Sequence, residues 1–258
     1  MKTKKYILDL QVKEIKQLNE RNILLRLTDK TSLPKMLPGQ FVEVKVENSP
    51  ATFLRRPISI NFVDRDNNEL WILVSMIGDG TRQLGKLSQG DFLNCVLPLG
   101  NGFTIPTVQK ADILLVGGGV GVAPLLYFGK VAKERGANVT YLLGAKTVTD
   151  ILLLDEFSKY GKVYTTTEDG SYGEKGFVTS HSLLSTKKFD TIYTCGPKPM
   201  MKAVVKYARK VDTNCEVSLE NNMACGLGAC LCCVEKTIDG NICVCSDGPV
   251  FNMNQLLW

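Results

Sequence analysis

The residues most able to do chemistry in this sequence are cysteines near its C-terminal end. The chain has nine cysteines and one histidine in 258 residues, and six of the nine lie between Cys225 and Cys245. The spacing is Cys225-x4-Cys230-x2-Cys233, and Cys245 follows after eleven intervening residues. This is a plant-type spacing for a [2Fe–2S] cluster, because soft thiolates hold ferric iron and its bridging sulfides. Small residues inside the loop let backbone N–H groups approach the sulfurs.

Other interpretations of these cysteines stay open. A four-cysteine zinc site and a set of inert buried thiols are the alternatives to a cluster. Cys243 competes with Cys245 for the fourth ligand position, because both lie on one predicted segment. Clustering argues against a disulfide scaffold. A Rieske cluster or a zinc site of two cysteines and two histidines needs a second histidine besides His181, and a Ser-His-Asp hydrolase would have to use His181 itself.

Glycines follow a buried apolar segment in the middle of the chain. Residues 113–116 are apolar, and a helical pattern runs from the glycines to about Arg135; the glycines are Gly117, Gly118, Gly119 and Gly121. A dinucleotide pyrophosphate binds at such a turn, where glycines permit close backbone approach to a helix N-terminus. The turn departs from the G-x-G-x-x-G fingerprint, so a plain tight turn is the alternative.

A second candidate for nucleotide binding ends a later predicted strand. It consists of Cys195, Gly196 and Pro197, with Met200 three residues on. Ligands of open α/β sheets bind at the carboxyl ends of the strands, which is where Cys195 is predicted to lie. A buried thiol at a strand end is the alternative.

The first part of the chain offers a phosphate-binding pattern. Arg56-Pro57-Ile58-Ser59 begins a predicted strand, and Gly80-Thr81 follows the next strand. The arginine fork, the glycine N–H and the threonine hydroxyl all suit a pyrophosphate. Arg56 and Ser59 would face opposite sides of a regular strand unless the proline distorts its start. A solvated edge is the alternative, because arginine is mostly exposed.

The elements that must position these residues change character along the chain. The first 104 residues read as six short strands of an antiparallel barrel, with a short helix near 81–87. After Pro106, strands alternate with helices, which predicts a parallel sheet with right-handed crossovers. We therefore expect a β plus α/β protein of three domains: a barrel at 1–104, a nucleotide-binding domain at 105–212 and a small cysteine-rich domain at 213–258. The predicted barrel strands are 6–12, 23–27, 41–46, 58–63, 70–76 and 92–97; the later strands are 113–116, 139–143, 163–167 and 191–194; the later helices lie near 151–160, 177–184 and 199–210.

Composition excludes several classes of protein. Hydrophobic residues make up 44% and charged residues 22%, which is typical of a globular chain. A net charge of +5 is too small to indicate nucleic-acid binding by itself. The N-terminus is charged and lacks an apolar signal region, and glycines and Pro124 interrupt the longest uncharged run, residues 113–129. We expect a cytoplasmic protein without a membrane span.

Together, the motifs resemble the ferredoxin–NADP reductase superfamily. The ordered set is Arg56-Pro57-Ile58-Ser59 in a barrel, the turn from Gly117 to Pro124, and Cys195-Gly196-Pro197 with Met200. The C-terminal block narrows the resemblance. The stretches SLENNMACGLGAC (218–230) and CSDGPVF (245–251) are similar to the iron–sulfur subunits of class 1B dihydroorotate dehydrogenase.

The resemblance implies roles for the matching residues. FAD would be bound by Arg56, Pro57, Ile58, Ser59, Gly80 and Thr81, with backbone contacts from Leu73, Val74 and Ser75. NAD would be bound by Gly117, Gly118, Gly119, Gly121, Cys195, Gly196, Pro197 and Met200. Cys225, Cys230, Cys233 and Cys245 would hold the cluster, and the match selects Cys245 over Cys243. Ser59 and Cys195 are candidates near the flavin and the nicotinamide, without an assigned catalytic role. Trp258 would cap the flavin or simply pack.

The resemblance also implies a function and a partner. An FMN-containing catalytic subunit would oxidise dihydroorotate to orotate in pyrimidine biosynthesis. Its electrons would pass through the cluster and FAD of this chain to NAD⁺, in a heterotetramer with two copies of each subunit. The alternative within the superfamily is the flavin and iron–sulfur subunit of a ferredoxin–NADP reductase or sulfide dehydrogenase complex. A cysteine-rich zinc adaptor without flavin is the alternative from another class.

Overall fold

The first structural unit of the computed structural model, which describes residues 4–258, is a closed antiparallel barrel. Its strand order is β1-β2-β5-β4-β3-β6. This confirms the six-stranded barrel predicted from the alternating apolar segments. The strands are β1 (Tyr6–Gln17), β2 (Asn22–Thr28), β3 (Phe41–Val44), β4 (Arg56–Asp64), β5 (Glu69–Ser75) and β6 (Phe92–Leu99); helix α1 (Asp79–Leu84) follows β5.

The second unit is a seven-stranded sheet in the order β10-β9-β8-β7-β11-β12-β15. All neighbours pair in parallel except β12 and β15. The predicted alternation of strands and helices is therefore present. Its strands are β7 (Asp112–Gly118), β8 (Asn138–Ala145), β9 (Lys162–Thr167), β10 (Glu174–Lys175), β11 (Thr191–Cys195), β12 (Asn214–Ser218) and β15 (Val250–Asn252); its helices are α2 (Ala123–Glu134), α3 (Leu154–Ser158), α4 (Leu183–Thr186) and α5 (Lys198–Lys210).

The structure differs from the sequence prediction between residues 177 and 184. Instead of one helix, a 3₁₀ turn at Val178–Ser180 is followed by the four-residue α4. The side chain of His181 accepts the backbone hydrogen bond of Leu183 through Nδ1 at 2.9 Å. A side-chain acceptor thereby replaces a backbone carbonyl in this segment and separates the two short helical pieces.

The cysteine-rich segment is inserted between two strands of the sheet. Residues from 213 onward were expected to form a separate block, but β12 pairs with β11 and β15 pairs with β12. Cys215 and Val217 of β12 are both fully buried, so the strand belongs to the sheet core. The chain between β12 and β15 contains the cysteine loop, the hairpin of β13 (Val234–Thr237) and β14 (Gly240–Cys243), and the short helix α6 (Val244–Asp247).

Direct hydrogen bonds hold the three units together. Asn61 in the barrel is fully buried and donates to the carbonyl of Ala123 at the start of α2, at 2.9 Å. At the end of β6, the Asn101 side chain donates to the carbonyls of Ser246 and Asp247. Both ends of the cysteine-rich segment are therefore fixed, one by the sheet and the other by the barrel.

Among residues 4–258, no helix is long and apolar enough to cross a membrane. The first three residues of the charged N-terminal segment lie outside the described residues.

The packing of α2 on β8 generates a prediction about stability. Gly129 of α2 lies so close to the Tyr141 hydroxyl that an added Cβ would overlap it, and that buried hydroxyl has no hydrogen-bond partner in the described chain. Gly129→Ala gains about 1 kcal/mol of helix propensity, but overpacking costs about 1–3 kcal/mol. We expect the melting temperature to fall. Tyr141→Phe removes an unpaired polar group and should not lower it. A Gly129→Ala variant as stable as the parent in thermal unfolding would contradict this packing.

Candidate functional site

A cleft of about 180 Å³ lies where the barrel, the sheet and the cysteine-rich segment meet. The barrel contributes residues of β3, β4 and β5, and the sheet contributes the turn after β7. The end of β12 and the chain beyond it form the remaining wall. The lining residues are Phe41, Pro57, Ile58, Ser59, Leu73, Ser75, Val120, Ala123, Ser218, Leu219, Glu220, Asn221, Met223 and Pro249.

The predicted FAD residues divide between the cleft and the start of α1. Pro57, Ile58 and Ser59 line the cleft. Arg56 lies away from it, since its Nε would be 3.1 Å from a Cβ placed on Gly80. The Thr81 hydroxyl lies at the same helix start, bonded to the backbone of Gly78 at 3.1 Å. A flavin in the cleft and a pyrophosphate at α1 would thus use opposite ends of one motif. Arg56 and Ser59 can therefore face opposite sides of the strand and still belong to one FAD site.

Strand alternation separates the three β5 residues. Leu73 and Ser75 line the cleft, whereas the side chain of Val74 is fully buried in the barrel core. A role for Val74 is therefore confined to its backbone.

The two predicted NAD motifs lie against each other. A Cβ on Gly121 would overlap the Cα of Gly196, and a Cβ on Gly118 would lie 3.2 Å from Pro197 Cδ. Met200 packs on the same glycines. Gly119 has a φ of +55° and open space beside it, so the turn presents its backbone outward. Position 121 therefore needs a glycine for the close approach of the two loops, whether or not a ligand also needs it.

Cys195 lies behind the cleft, next to a carboxylate that the sequence did not indicate. Its thiol is fully buried and is 3.9 Å from Oε1 of Glu220. Burial raises the pKa of Cys195 well above its usual range, and the Glu220 charge adds to this effect. Glu220 itself lines the cleft; burial of its carboxyl raises its pKa, and the hydrogen bond with Cys195 partly offsets that. The thiol is neutral at physiological pH and cannot serve as a nucleophile.

The cysteine loop is wound so that its backbone N–H groups face sulfur atoms. Leu227 donates to Cys225 Sγ at 3.3 Å, and Gly228 donates to Cys245 Sγ at 3.1 Å. Cys245 in turn donates its N–H to Cys233 Sγ at 3.3 Å. Gly226 and Gly228 both have positive φ, which the tight loop requires. Such N–H···S contacts stabilise thiolates and are typical of iron–sulfur sites.

The sulfur atoms are arranged in pairs. The side chain of Cys225 lies beside that of Cys230, and the side chain of Cys245 lies beside that of Cys233. Four cysteine side chains gathered in this loop fit a [2Fe–2S] cluster, whose two irons share four thiolate ligands.

Cys243 also contacts Cys233. It differs from Cys245 in position, because it ends β14 opposite Val234 while Cys245 lies on α6 and receives the loop N–H of Gly228. The other three cysteines lie elsewhere. Cys95 and Cys215 are fully buried in the barrel and the sheet, where burial raises the pKa of each to about 12, and Cys232 is exposed.

Glu43 is a further site residue that the sequence did not indicate. It lies on β3 beneath the cysteine loop and is 1% exposed. Burial, opposed by the nearby Arg55, raises the pKa of Glu43 to about 7.

Trp258 packs against α5, where its ring lies 5.7 Å from the Lys198 ammonium and 5.8 Å from that of Lys202. It is not among the residues that line the cleft. Trp258 was expected either to cap the flavin or to pack against the protein, and in this structure it packs against α5.

Two family models match the chain in the regions of these sites. The model described as the iron–sulfur cluster binding domain of dihydroorotate dehydrogenase B matches residues 220–257, and an oxidoreductase NAD-binding domain matches residues 115–206.

Curated relatives cover nearly the whole chain. A dihydroorotate dehydrogenase B (NAD⁺) electron transfer subunit from Lysinibacillus sphaericus is 43% identical over 84% of this chain and 85% of the relative. The protein of the same name from Fusobacterium nucleatum is 41% identical over 83% and 84%, and that from Bacillus caldolyticus is 37% identical over 92% and 93%.

Solved structures share the fold. A chain of an NADH-dependent reduced ferredoxin–NADP oxidoreductase is 30% identical, with a TM-score of 0.87 over 96% of this chain and 90% of that chain. The cytochrome b5 reductase domain of Ulva prolifera nitrate reductase has a TM-score of 0.67 at 17% identity, over 80% of this chain and 93% of that chain, which indicates the fold alone. The first of these corresponds to the alternative function considered from the sequence, but the curated relatives above are more similar in sequence. With its barrel, its sheet and its cysteine loop matched in order, the chain belongs to the family of dihydroorotate dehydrogenase B electron transfer subunits.

Proposed function

We propose that this chain carries electrons between NAD(H) and an FMN-containing catalytic subunit that oxidises dihydroorotate to orotate in pyrimidine biosynthesis. One observation carries the proposal: a single cleft is walled by the barrel, by the glycine turn and by the chain that leads into the cysteine loop. A cofactor bound in that cleft would be in reach of all three units. Bound FAD would exchange a hydride with the nicotinamide, and a bound [2Fe–2S] cluster would carry single electrons.

The residues around the cleft would bind and orient the flavin. Pro57, Ile58 and Ser59 form its barrel wall, with Leu73 and Ser75 beside them. Arg56, Gly80 and Thr81 would hold the pyrophosphate at α1, where the missing side chain of Gly80 leaves room for the guanidinium. Val74 would contribute backbone contacts only.

The turn from Gly117 to Gly121 and the loop from Cys195 to Met200 would hold NAD(H). The Ser59 hydroxyl lines the cleft, and the Cys195 thiol lies behind the opposite wall with Glu220. The Ser59 hydroxyl would face the bound cofactors, and the buried Cys195 thiol would support the opposite wall and keep water out. No side-chain base is needed for hydride transfer, which agrees with the single histidine.

Cys225, Cys230, Cys233 and Cys245 would hold the cluster. Cys230 is exposed, and the neighbouring Leu227 and Leu231 are 48% and 64% exposed. Exposed apolar side chains beside an electron-carrying loop favour this face as the docking site for the catalytic subunit. The assembly we propose is a cytoplasmic heterotetramer with two copies of each subunit.

The direct test of the function is reconstitution with the catalytic subunit. We expect the purified chain, loaded with FAD and the cluster, to reduce dyes with NADH but to leave dihydroorotate unchanged. Mixing it with the FMN-containing subunit should produce orotate and NADH from dihydroorotate and NAD⁺. Dihydroorotate oxidation by this chain alone would contradict the division of labour.

Cysteine substitutions test the fourth ligand. Cys245→Ser should abolish the EPR signal of the reduced cluster and lower the iron content, because a hydroxyl replaces the thiolate that receives the Gly228 N–H. Cys243→Ser, two residues away, is the matched control and should retain both. Loss of the cluster in Cys243→Ser with retention in Cys245→Ser would reverse the assignment.

A glycine substitution tests the NAD site. Gly121→Ala forces the turn away from Gly196, and small displacements of reacting groups cost on the order of 100-fold in rate. We expect flavin reduction by NADH in stopped-flow experiments to slow by about 10- to 100-fold while the FAD content is unchanged. Gly90→Ala is the control for strain from a glycine substitution away from the nucleotide loops, because Gly90 has a φ of +96° in a barrel turn, and it should leave the rate unchanged. Unaltered reduction of Gly121→Ala would argue against nucleotide binding there.

A third substitution tests the docking face. Leu231 has a φ of +58°, which asparagine tolerates well, so Leu231→Asn removes apolar surface without straining the loop. We expect its affinity for the catalytic subunit to fall about tenfold in surface plasmon resonance, since loss of a buried anchor costs on the order of 1–2 kcal/mol. Ile238→Asn, 63% exposed at the tip of the β13–β14 hairpin, should bind normally. Equal affinities for all three proteins would exclude this face.

A further inference from the structure

Glu43 is a buried carboxylate without a partner. It is 1% exposed, and within the described part of the chain neither carboxyl oxygen has a hydrogen-bond partner. An unpartnered carboxyl away from water is costly, and native proteins rarely retain one without a use. The FAD, NAD and cluster sites described above do not require it.

The position of Glu43 connects the barrel to the cysteine loop. Val42 and Val44 point into the barrel core, so Phe41 and Glu43 face outward, and Phe41 lines the cleft. Across the strand pair, Glu43 lies opposite Pro57 of the proposed flavin site. A Cβ placed on Gly226 would be 2.8 Å from Glu43 Cγ and 3.2 Å from its Oε1. The carboxyl therefore lies directly against the residue that follows Cys225.

Nearby positive charge does not neutralise this carboxyl through a direct contact. The Arg55 guanidinium donates to the backbone carbonyl of Glu43 at 3.3 Å. It also donates to the backbone carbonyl of Asn94 at 3.0 Å and to the Asn94 side-chain oxygen at 2.5 Å. Arg56 is turned toward Gly80 and backbone carbonyls. The carboxyl thus lies between two arginines that donate to other acceptors and the loop residue that follows Cys225.

We propose that Glu43 is a positioning residue that sets the reduction potential of the electron carrier held by the cysteine loop. When ionised, its carboxylate places negative charge next to a site that gains negative charge on reduction. The dry contact screens this repulsion weakly. Glu43 thereby disfavours holding the electron in the loop and favours its transfer toward the cleft. The inference rests on the proposed cluster site.

Redox titration of the cluster-loaded full chain tests this role. Midpoint potentials are measured by EPR in mildly alkaline buffer. Glu43→Gln and Glu43→Met both remove the charge and keep a similar volume. We expect each to shift the one-electron equilibrium about tenfold toward the reduced form, which corresponds to about 59 mV. Glu47→Gln, an exposed residue of the same segment paired with Lys45, should leave the potential unchanged.

Each result has a defined meaning. Equal upward shifts in the two Glu43 variants, with melting temperatures at or above that of the parent, support the charge effect. Unchanged potentials overturn it, as does a shift in the methionine variant alone, which would indicate packing. A Glu43 variant that folds but loses the cluster also overturns the role, because Glu43 would then act in loop assembly. Absence of the cluster signal in the unaltered chain would instead contradict the proposed ligand set.

Discussion

The arrangement of the sites depends on one constraint: the cysteine-rich segment is tied at both ends. It leaves the nucleotide-binding sheet at β12 and returns to it at β15, and Asn101 of the barrel holds the chain just before that return. A loop anchored in this way has little freedom to move relative to the cleft. The residues that lead into it, from Ser218 to Asn221, become a wall of the cleft. Electron transfer needs this fixed geometry, because a carrier on a mobile loop would have no constant relation to the flavin.

Small residues make the close approaches possible. Gly121 meets Gly196 where the two nucleotide-binding loops touch, and Gly226 meets Glu43 where the cysteine loop touches the barrel. A side chain at the first place would push the two loops apart, and one at the second would push the cysteine loop away from the barrel. The glycines that first suggested ligand binding are therefore also packing residues, and the two requirements act on the same positions.

The sequence was most informative where a pattern is local. Six alternating segments predict the barrel, and the cysteine spacing predicts the cluster, because both signals depend only on neighbours along the chain. Prediction from the sequence failed for residues that become buried through contact with a distant segment of the chain. Glu43 lies in a predicted strand with no local signal for burial, and the distant loop around Gly226 packs against it. The β12 strand was assigned to the cysteine-rich block, because nothing local in the sequence shows that it pairs with β11. Glu220 lacks any local signal for its place beside Cys195, although the family resemblance covers its position.

We propose that one cleft connects nucleotide, flavin and cluster within this single chain. Anaerobic mixing of the isolated, fully loaded chain with NADH, followed by freeze-quench EPR and flavin absorbance, tests it most directly. The structure predicts that the flavin is reduced first and that the signal of the reduced cluster then appears without any partner subunit. A flavin that is reduced by NADH while the cluster stays oxidised, although dithionite reduces it, would contradict the claim.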